Sequence, residues 1–231
     1  MYTGPNIAKN GLVLCLDAGN IKSYPGTGTE WTDLSSHDNH ATMYGSVPFS
    51  IDTFGCFDFA TATGAASASS SLGFTFASNM IPRTGNFTLS CWVKNPNTSV
   101  GQVGLFSNAG GGDGYRFGVG RDAVYFLIGP DYTEGGIGYG TTLSDAIWYN
   151  ITAVFNRTGA SVVVFVNGAQ YNSSSIPASQ TQMQNNPPGL VRSACCSIYT
   201  GKLATFFVYN RDLSSSEILQ NYIAHKTRYG L

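Results

Sequence analysis

Three glutamates are the first residues to test for chemistry: Glu30, Glu134 and Glu217. Cleavage of a glycosidic bond needs two carboxyl groups facing one sugar, roughly 5 to 9 Å apart. On a strand, that geometry comes from acids at i and i+2 or i+4, which share a face. No Glu-x-Asp-x-Glu pattern occurs. Glu30 and Glu134 stand in glycine-rich stretches, and Glu217 lies three residues after Ser214, where a helix cap explains it. No catalytic residue is assigned, and the chain is expected not to be an enzyme.

The remaining reactive residue types lead to structural roles. His37-Asp38-Asn39-His40 has metal-binding residues, but Asp and Asn in such a run bond their own backbone and make turns. No loop has a dense series of oxygen ligands. No metal ligand is assigned. Of five cysteines, Cys15 and Cys91 fall inside apolar runs, where a thiol acts as a small hydrophobe. Cys56, Cys195 and Cys196 complete no zinc set. Free thiols in a reducing compartment are expected. The stretch Asn108 to Gly114 is rich in glycine but lacks Gly-Lys-Ser/Thr, so it is no phosphate cradle.

Aromatic residues are the other feature that can make contacts. They make up 13% of the chain, with 13 tyrosines. Tyr132 and Tyr139 lie in the glycine-rich stretch 130–140, and there they can stack on a sugar, meet a neighbouring subunit or cover a sheet edge. Trp31 and Tyr115 join them as candidate ligand or partner contacts.

These residues must be held by strands. Leu12 to Asp17 is a nearly continuous apolar run, which predicts burial on both faces. Phe87 to Lys94 alternates: Phe87, Leu89, Cys91 and Val93 point to a core, while Thr88, Ser90, Trp92 and Lys94 are expected to face water or a partner. Residues 103–107, 115–119 and 124–128 read as a meander, and 148–155 and 202–209 as long strands. Residues 162–166 run into Asn167-Gly168, a strong short hairpin signal. Ser214 and Glu217 form a capping box. Ile218, Leu219, Tyr222 and Ile223 follow as an apolar helical stripe. Many strands and one short C-terminal helix predict an all-β sandwich of two antiparallel sheets.

Charge narrows the partners. Only 11% of residues are charged and the formal net charge is -1, against about 25% charged residues in an ordinary soluble domain. No Lys/Arg block tracks phosphates, so nucleic acid is not expected. No run of ~18 apolar residues occurs, so no membrane span is expected. Met1 to Asn10 does not read as a secretory signal.

Several segments, in order, resemble the LamG-like jelly rolls of the concanavalin A-like superfamily, of the kind found in tailed-bacteriophage virion proteins. They are Gly11 to Asn20, Ser23 to Gly28, Trp31-Thr32-Asp33-Leu34-Ser35, Phe87 to Lys94, Val164 to Gly168 and Val208 to Tyr222. The similarity covers about residues 10 to 229. Where the family commonly has Phe-Asp-Gly, this chain has Phe57-Asp58-Phe59. The resemblance implies one jelly-roll domain over 11–231, after a leader over 1–10 that is a possible docking arm. It also implies a bacteriophage virion structural protein, such as a capsid decoration, neck or tail subunit. Such a protein would be made in the host bacterial cytoplasm, be multimeric in the particle and pack on other virion proteins. The alternative is a carbohydrate-binding module for a host surface glycan, using Trp31, Tyr115, Tyr132 or Tyr139. Some relatives bind calcium through Asp and carbonyl oxygens, so the resemblance also allows a structural calcium, with Asp17, Asp33, Asp38 and Asp58 as candidates.

Overall fold

The computed structural model describes residues 6–51, 54–60, 72–94, 103–108, 114–120, 123–128, 134–137, 143–144, 147–176, 183, 185–191 and 199–231. Its early strands are β1 (Leu12–Asp17), β2 (Glu30–Trp31), β3 (Ala41–Tyr44), β4 (Phe49–Ser50), β5 (Cys56–Asp58), β6 (Gly73–Phe76), β7 (Phe87–Lys94) and β8 (Val103–Ser107). The later ones are β9 (Tyr115–Gly120), β10 (Ala123–Ile128), β11 (Glu134–Ile137), β12 (Trp148–Asn156), β13 (Ser161–Val166), β14 (Ala169–Ser175), β15 (Gly189–Leu190) and β16 (Lys202–Tyr209). Helix α1 (Ser215–Lys226) and a 3₁₀ turn, Thr227–Tyr229, follow. Among the described residues no helix is long and apolar enough to cross a membrane.

The strands form two antiparallel sheets. One runs β14-β13-β12-β7-β16-β5-β4, with β1 also on β16; the other runs β11-β10-β9-β8-β15-β6-β3-β2. The all-β sandwich expected from the strand pattern is therefore the fold, and β8, β9 and β10 are the expected meander. Alternation fills the space between the sheets. Phe87, Leu89, Cys91 and Val93 of β7 point inward with Ile151 and Phe155 of β12 and Phe206 of β16. They meet Phe106, Phe117 and Phe126 of the facing sheet, with the Phe106 and Phe206 rings 4.7 Å apart. The β13–β14 turn uses Asn167 at φ 51° and Gly168 at φ 78°, the left-handed pair that matches the twist of the flanking strands.

The second face of β7 departs from expectation. Thr88, Ser90 and Trp92 are buried rather than turned to water or a partner. The Trp92 ring stacks 4.2 Å from Tyr229 and 5.8 Å from Tyr222. Thr88 Oγ1 donates to the Arg211 carbonyl (2.9 Å) and accepts from Leu213 N (3.0 Å). A C-terminal lid of helix and 3₁₀ turn thus covers the outside of this sheet.

The expected docking arm is part of the same cover. From residue 6 on, the leader is bonded to the domain. Gln220 Nε2 donates to the Asn6 carbonyl, Ala8 N donates to Asn221 Oδ1 (2.8 Å), and Tyr209 Oη donates to the Ala8 carbonyl (3.1 Å). Ile7 and Ala8 are buried against Phe207 and Ile218. The domain therefore includes residues that a boundary at 11 leaves out.

Helix α1 starts with the capping box that its sequence signals. Two Arg211 nitrogens donate to the Glu217 carboxylate at 2.9 and 2.5 Å and, with Ser214, hold its pKa down at about 2. The apolar stripe, however, is split. Ile218 faces inward with Asn221 and His225, whereas Leu219 and Ile223 are 45% and 53% exposed. Polar side chains can take the inward row because each has a partner. Asn221 bonds Ala8 and Tyr209, and His225 Nδ1 lies 3.1 Å from the Asn221 carbonyl.

Burial lowers the pKa of His225 below 6.5, a shift partly opposed by that backbone hydrogen bond and by Asp17. Unfolded His225 takes a proton near pH 6.5 while the folded ring does not, so this contribution to stability is present above pH 6.5 and lost as pH falls below it. His225→Phe is expected to flatten the drop in thermal midpoint between pH 7 and pH 5, measured by circular dichroism. Trp92→Ala should leave a cavity under the C-terminal lid and cost about 3–5 kcal/mol in urea unfolding.

Candidate functional site

The loops at one end of the sandwich form the site. Beyond β1, Asn20 N donates to the Asp17 carbonyl (3.0 Å), and Ser23 N and Tyr24 N both donate to the Asn20 carbonyl (2.8 and 2.9 Å). Ser23 is drawn inside, donating to the Thr32 carbonyl at 2.6 Å. Tyr24 then lies on the aromatic core, 5.1 Å from Phe49 and 4.8 Å from Phe57. Ile21, left at the crest of this turn, is 77% exposed. Opposite it, the chain leaving β4 carries Ile51 at 84% and Phe54 at 70% exposure.

Phe54 is held outward by strain and an ion pair. Its φ is +69°, in the left-handed region, and Gly55 follows at +102°. A non-glycine residue stays there only where its surroundings enforce it. Arg228 enforces it here. Its Nη1 donates to Asp17 Oδ1 (2.7 Å) and its Nη2 to the Phe54 carbonyl (3.2 Å). The approach needs glycines: a Cβ on Gly19 would sit 1.9 Å from both Arg228 Nη2 and the Phe54 oxygen, and one on Gly55 would sit 2.8 Å from the Ala18 oxygen.

Between these loops lies an open cleft of about 270 Å³, lined by residues of 18–26 and 49–55. Tyr24, Phe49, Ile21, Ile51 and Phe54 supply its apolar walls. Among the described lining residues the only polar side-chain atom is the Tyr24 hydroxyl, which donates to the Gly28 carbonyl at 2.9 Å. The volume is near the lower end of small-molecule pockets, about 300 Å³. Exposed aromatic and aliphatic groups on a rigid frame can bind by stacking and by burying apolar edges.

The sequence candidates fall elsewhere. Trp31 is fully buried with its ring 4.7 Å from Phe57 and 5.1 Å from Phe74, so it backs the floor of the cleft and cannot touch a ligand. Tyr115 is fully buried between Phe106 and Phe126. Both expectations of surface contact are therefore corrected: each lies on the inward side of its strand. Tyr132 and Tyr139 lie outside the described residues. Sequence reasoning missed Ile21, Ile51 and Phe54. The available signal was an aromatic directly before Gly55 in a stretch without strand alternation.

The acidic groups are engaged structurally. Asp17 accepts from Arg228 and from Gly19 N. Asp33 accepts from the amides of Cys15, Ser35 and Asn39 and from the Ser35 hydroxyl. Asp58 lies 3.4 Å from Lys202 Nζ and accepts from Ala60 N. Asp38 sits exposed in its turn at φ 55°. Among the described residues no three His, Cys, Asp or Glu side chains gather around one point. Burial, with Asp17 and Asp33 nearby, pushes the Cys15 thiol up to about 12, and Cys91 is raised by burial alone. Neither is a nucleophile near neutral pH.

The Laminin_G_3 family of the concanavalin A-like lectin/glucanases superfamily matches residues 67–219, more than half of the 231. The chain belongs to this family. The matched stretch begins after the cleft loops, so membership concerns the frame of this laminin-G-type domain rather than its cleft. No curated protein matches the chain. Among solved structures, the chain is similar to the binding domain of Paraclostridial Mosquitocidal Protein 1 (17% identity, TM-score 0.69, covering 93% of this chain and 52% of that one). It is similar to the botulinum neurotoxin DC binding domain in complex with SialylT (13%, 0.68, 96% and 52%). It is also similar to domain 4 of an extracellular arabinanase from Geobacillus stearothermophilus in complex with arabinotriose (12%, 0.67, 91% and 98%). The chain spans about half the length of the toxin chains. At these identities the likeness concerns the fold.

Arg228→Met in this laminin-G-type domain is expected to leave Asp17 without its cation and free the Phe54 carbonyl. Amide exchange over residues 54–56 should accelerate, with a loss of about 1–3 kcal/mol in global stability.

Proposed function

We propose that the chain is a non-catalytic carbohydrate-binding module, and that its sugar sits in the cleft between residues 18–26 and 49–55. The observation that carries this reading is the exposed apolar rim of Ile21, Ile51 and Phe54 over a Tyr24–Phe49 floor. Exposed apolar groups that the fold forces outward, when they could have been buried, mark an interaction site. Similar folds in complex with SialylT and arabinotriose support a sugar as the ligand. The engaged carboxylates support binding without turnover, because a glycosidase needs two of them free to face the bond.

Packing as a bacteriophage virion subunit is the second reading. The low charge and the outward Leu219 and Ile223 ridge of α1 favour it. A surface subunit of that kind can carry the same sugar cleft.

The test is a glycan array with the folded chain, followed by titration calorimetry on any sugar retained. Phe54→Ala is expected to weaken binding roughly tenfold, about 1.4 kcal/mol, with the circular dichroism spectrum unchanged. Retained sugar binding that ignores Phe54→Ala and Ile51→Ala removes the cleft from the proposal. A folded chain that binds no sugar ends the module reading.

A further inference from the structure

Resting on the reading of the cleft as a sugar site, we infer that it selects neutral sugars bearing a methyl group, either the acetyl methyl of an acetamido sugar or the ring methyl of a 6-deoxy sugar. Among the described lining residues the one polar side-chain atom, the Tyr24 hydroxyl, already donates to the Gly28 carbonyl. Backbone groups are the hydrogen-bond partners these walls leave, so a fully hydroxylated ring loses water from the hydroxyls that meet Ile21, Ile51 and Phe54, which costs free energy for each unmatched group. A ring whose leading edge is a methyl group loses no hydrogen bond there and buries apolar area against Ile21, Ile51 and Phe54.

Charge points the same way. Arg228, the cation behind the rim, has its guanidinium on Asp17 and the Phe54 carbonyl, so its charge is compensated. A carboxylated sugar would bring a negative charge to a site with no cation among its described lining residues. The cleft is also built before the ligand arrives. The left-handed Phe54 and the glycine contacts at 19 and 55 fix the rim, so little ordering is needed on binding.

The experiment compares matched pairs by NMR titration of the whole chain. One pair is N-acetylglucosamine oligomers against glucose oligomers; the other is fucose or rhamnose glycosides against galactose or mannose glycosides. A sialylated glycan and neutral lipid vesicles complete the panel. The methyl-bearing member of at least one pair is expected to bind roughly tenfold tighter, the scale of one methyl or methylene in an apolar pocket. Ile51→Asn, at an exposed position where folding is not at risk, should erase that difference. Preference confined to the first pair assigns the acetyl methyl; preference confined to the second assigns the ring methyl. Equal binding within both pairs overturns the inference and leaves the sugar module standing. So does tightest binding of the sialylated glycan, or a preference unmoved by Ile51→Asn. Vesicle binding without any sugar binding overturns both.

Discussion

Trp92 carries a large indole on the side of β7 that faces away from the sandwich core. That surface must leave water, and Tyr229, stacked 4.2 Å away, is what covers it, with Trp148 packed 4.9 Å from the same tyrosine. Burying aromatic area of this kind is among the larger single contributions in a domain of this size. It requires the chain, after its last strand, to turn back across the sheet as α1 and the 3₁₀ turn. The capping box at Ser214 and the Arg211–Glu217 pair fix where that return begins. The leader from residue 6 on fills the space beside it.

The same return builds the cleft. Arg228 is next to Tyr229, so docking that ring on Trp92 delivers the guanidinium to Asp17 at the end of β1. From there it reaches the Phe54 carbonyl. Tyr229, which covers the outer sheet face, and Arg228, the cation behind the rim of the cleft, are thus consecutive residues of one short segment. A loop that would otherwise relax from a left-handed backbone is held by a residue whose own position is set by aromatic packing. Pre-organisation of this kind lowers the ordering cost of binding.

Chemistry follows from the way polar groups are used. Among the described residues, Asp17, Asp33, Asp58 and Glu217 are each tied to a cation or to amides, and the cleft itself is framed by apolar side chains.

The sequence by itself determined the strands, the hairpin turn, the helix cap and the two-sheet class. Those depend on local signals: alternation of period two, Asn167-Gly168, and Ser214 with Glu217. It also showed that paired catalytic acids on one strand face are missing. It did not determine which outward-facing residues stay outward. Thr88, Ser90 and Trp92 alternate like a wet face, yet a segment about 130 residues further along covers them. Trp31 and Tyr115 resemble contact residues by type, yet the stacking of sheets buries them. Ile21, Ile51 and Phe54 resemble core residues, yet all three stand exposed, and the Phe54 backbone is bonded by Arg228, more than 170 residues further along. Exposure depends on contacts between distant parts of the chain, and local patterns encode only which side of a strand a residue occupies, not what covers that side.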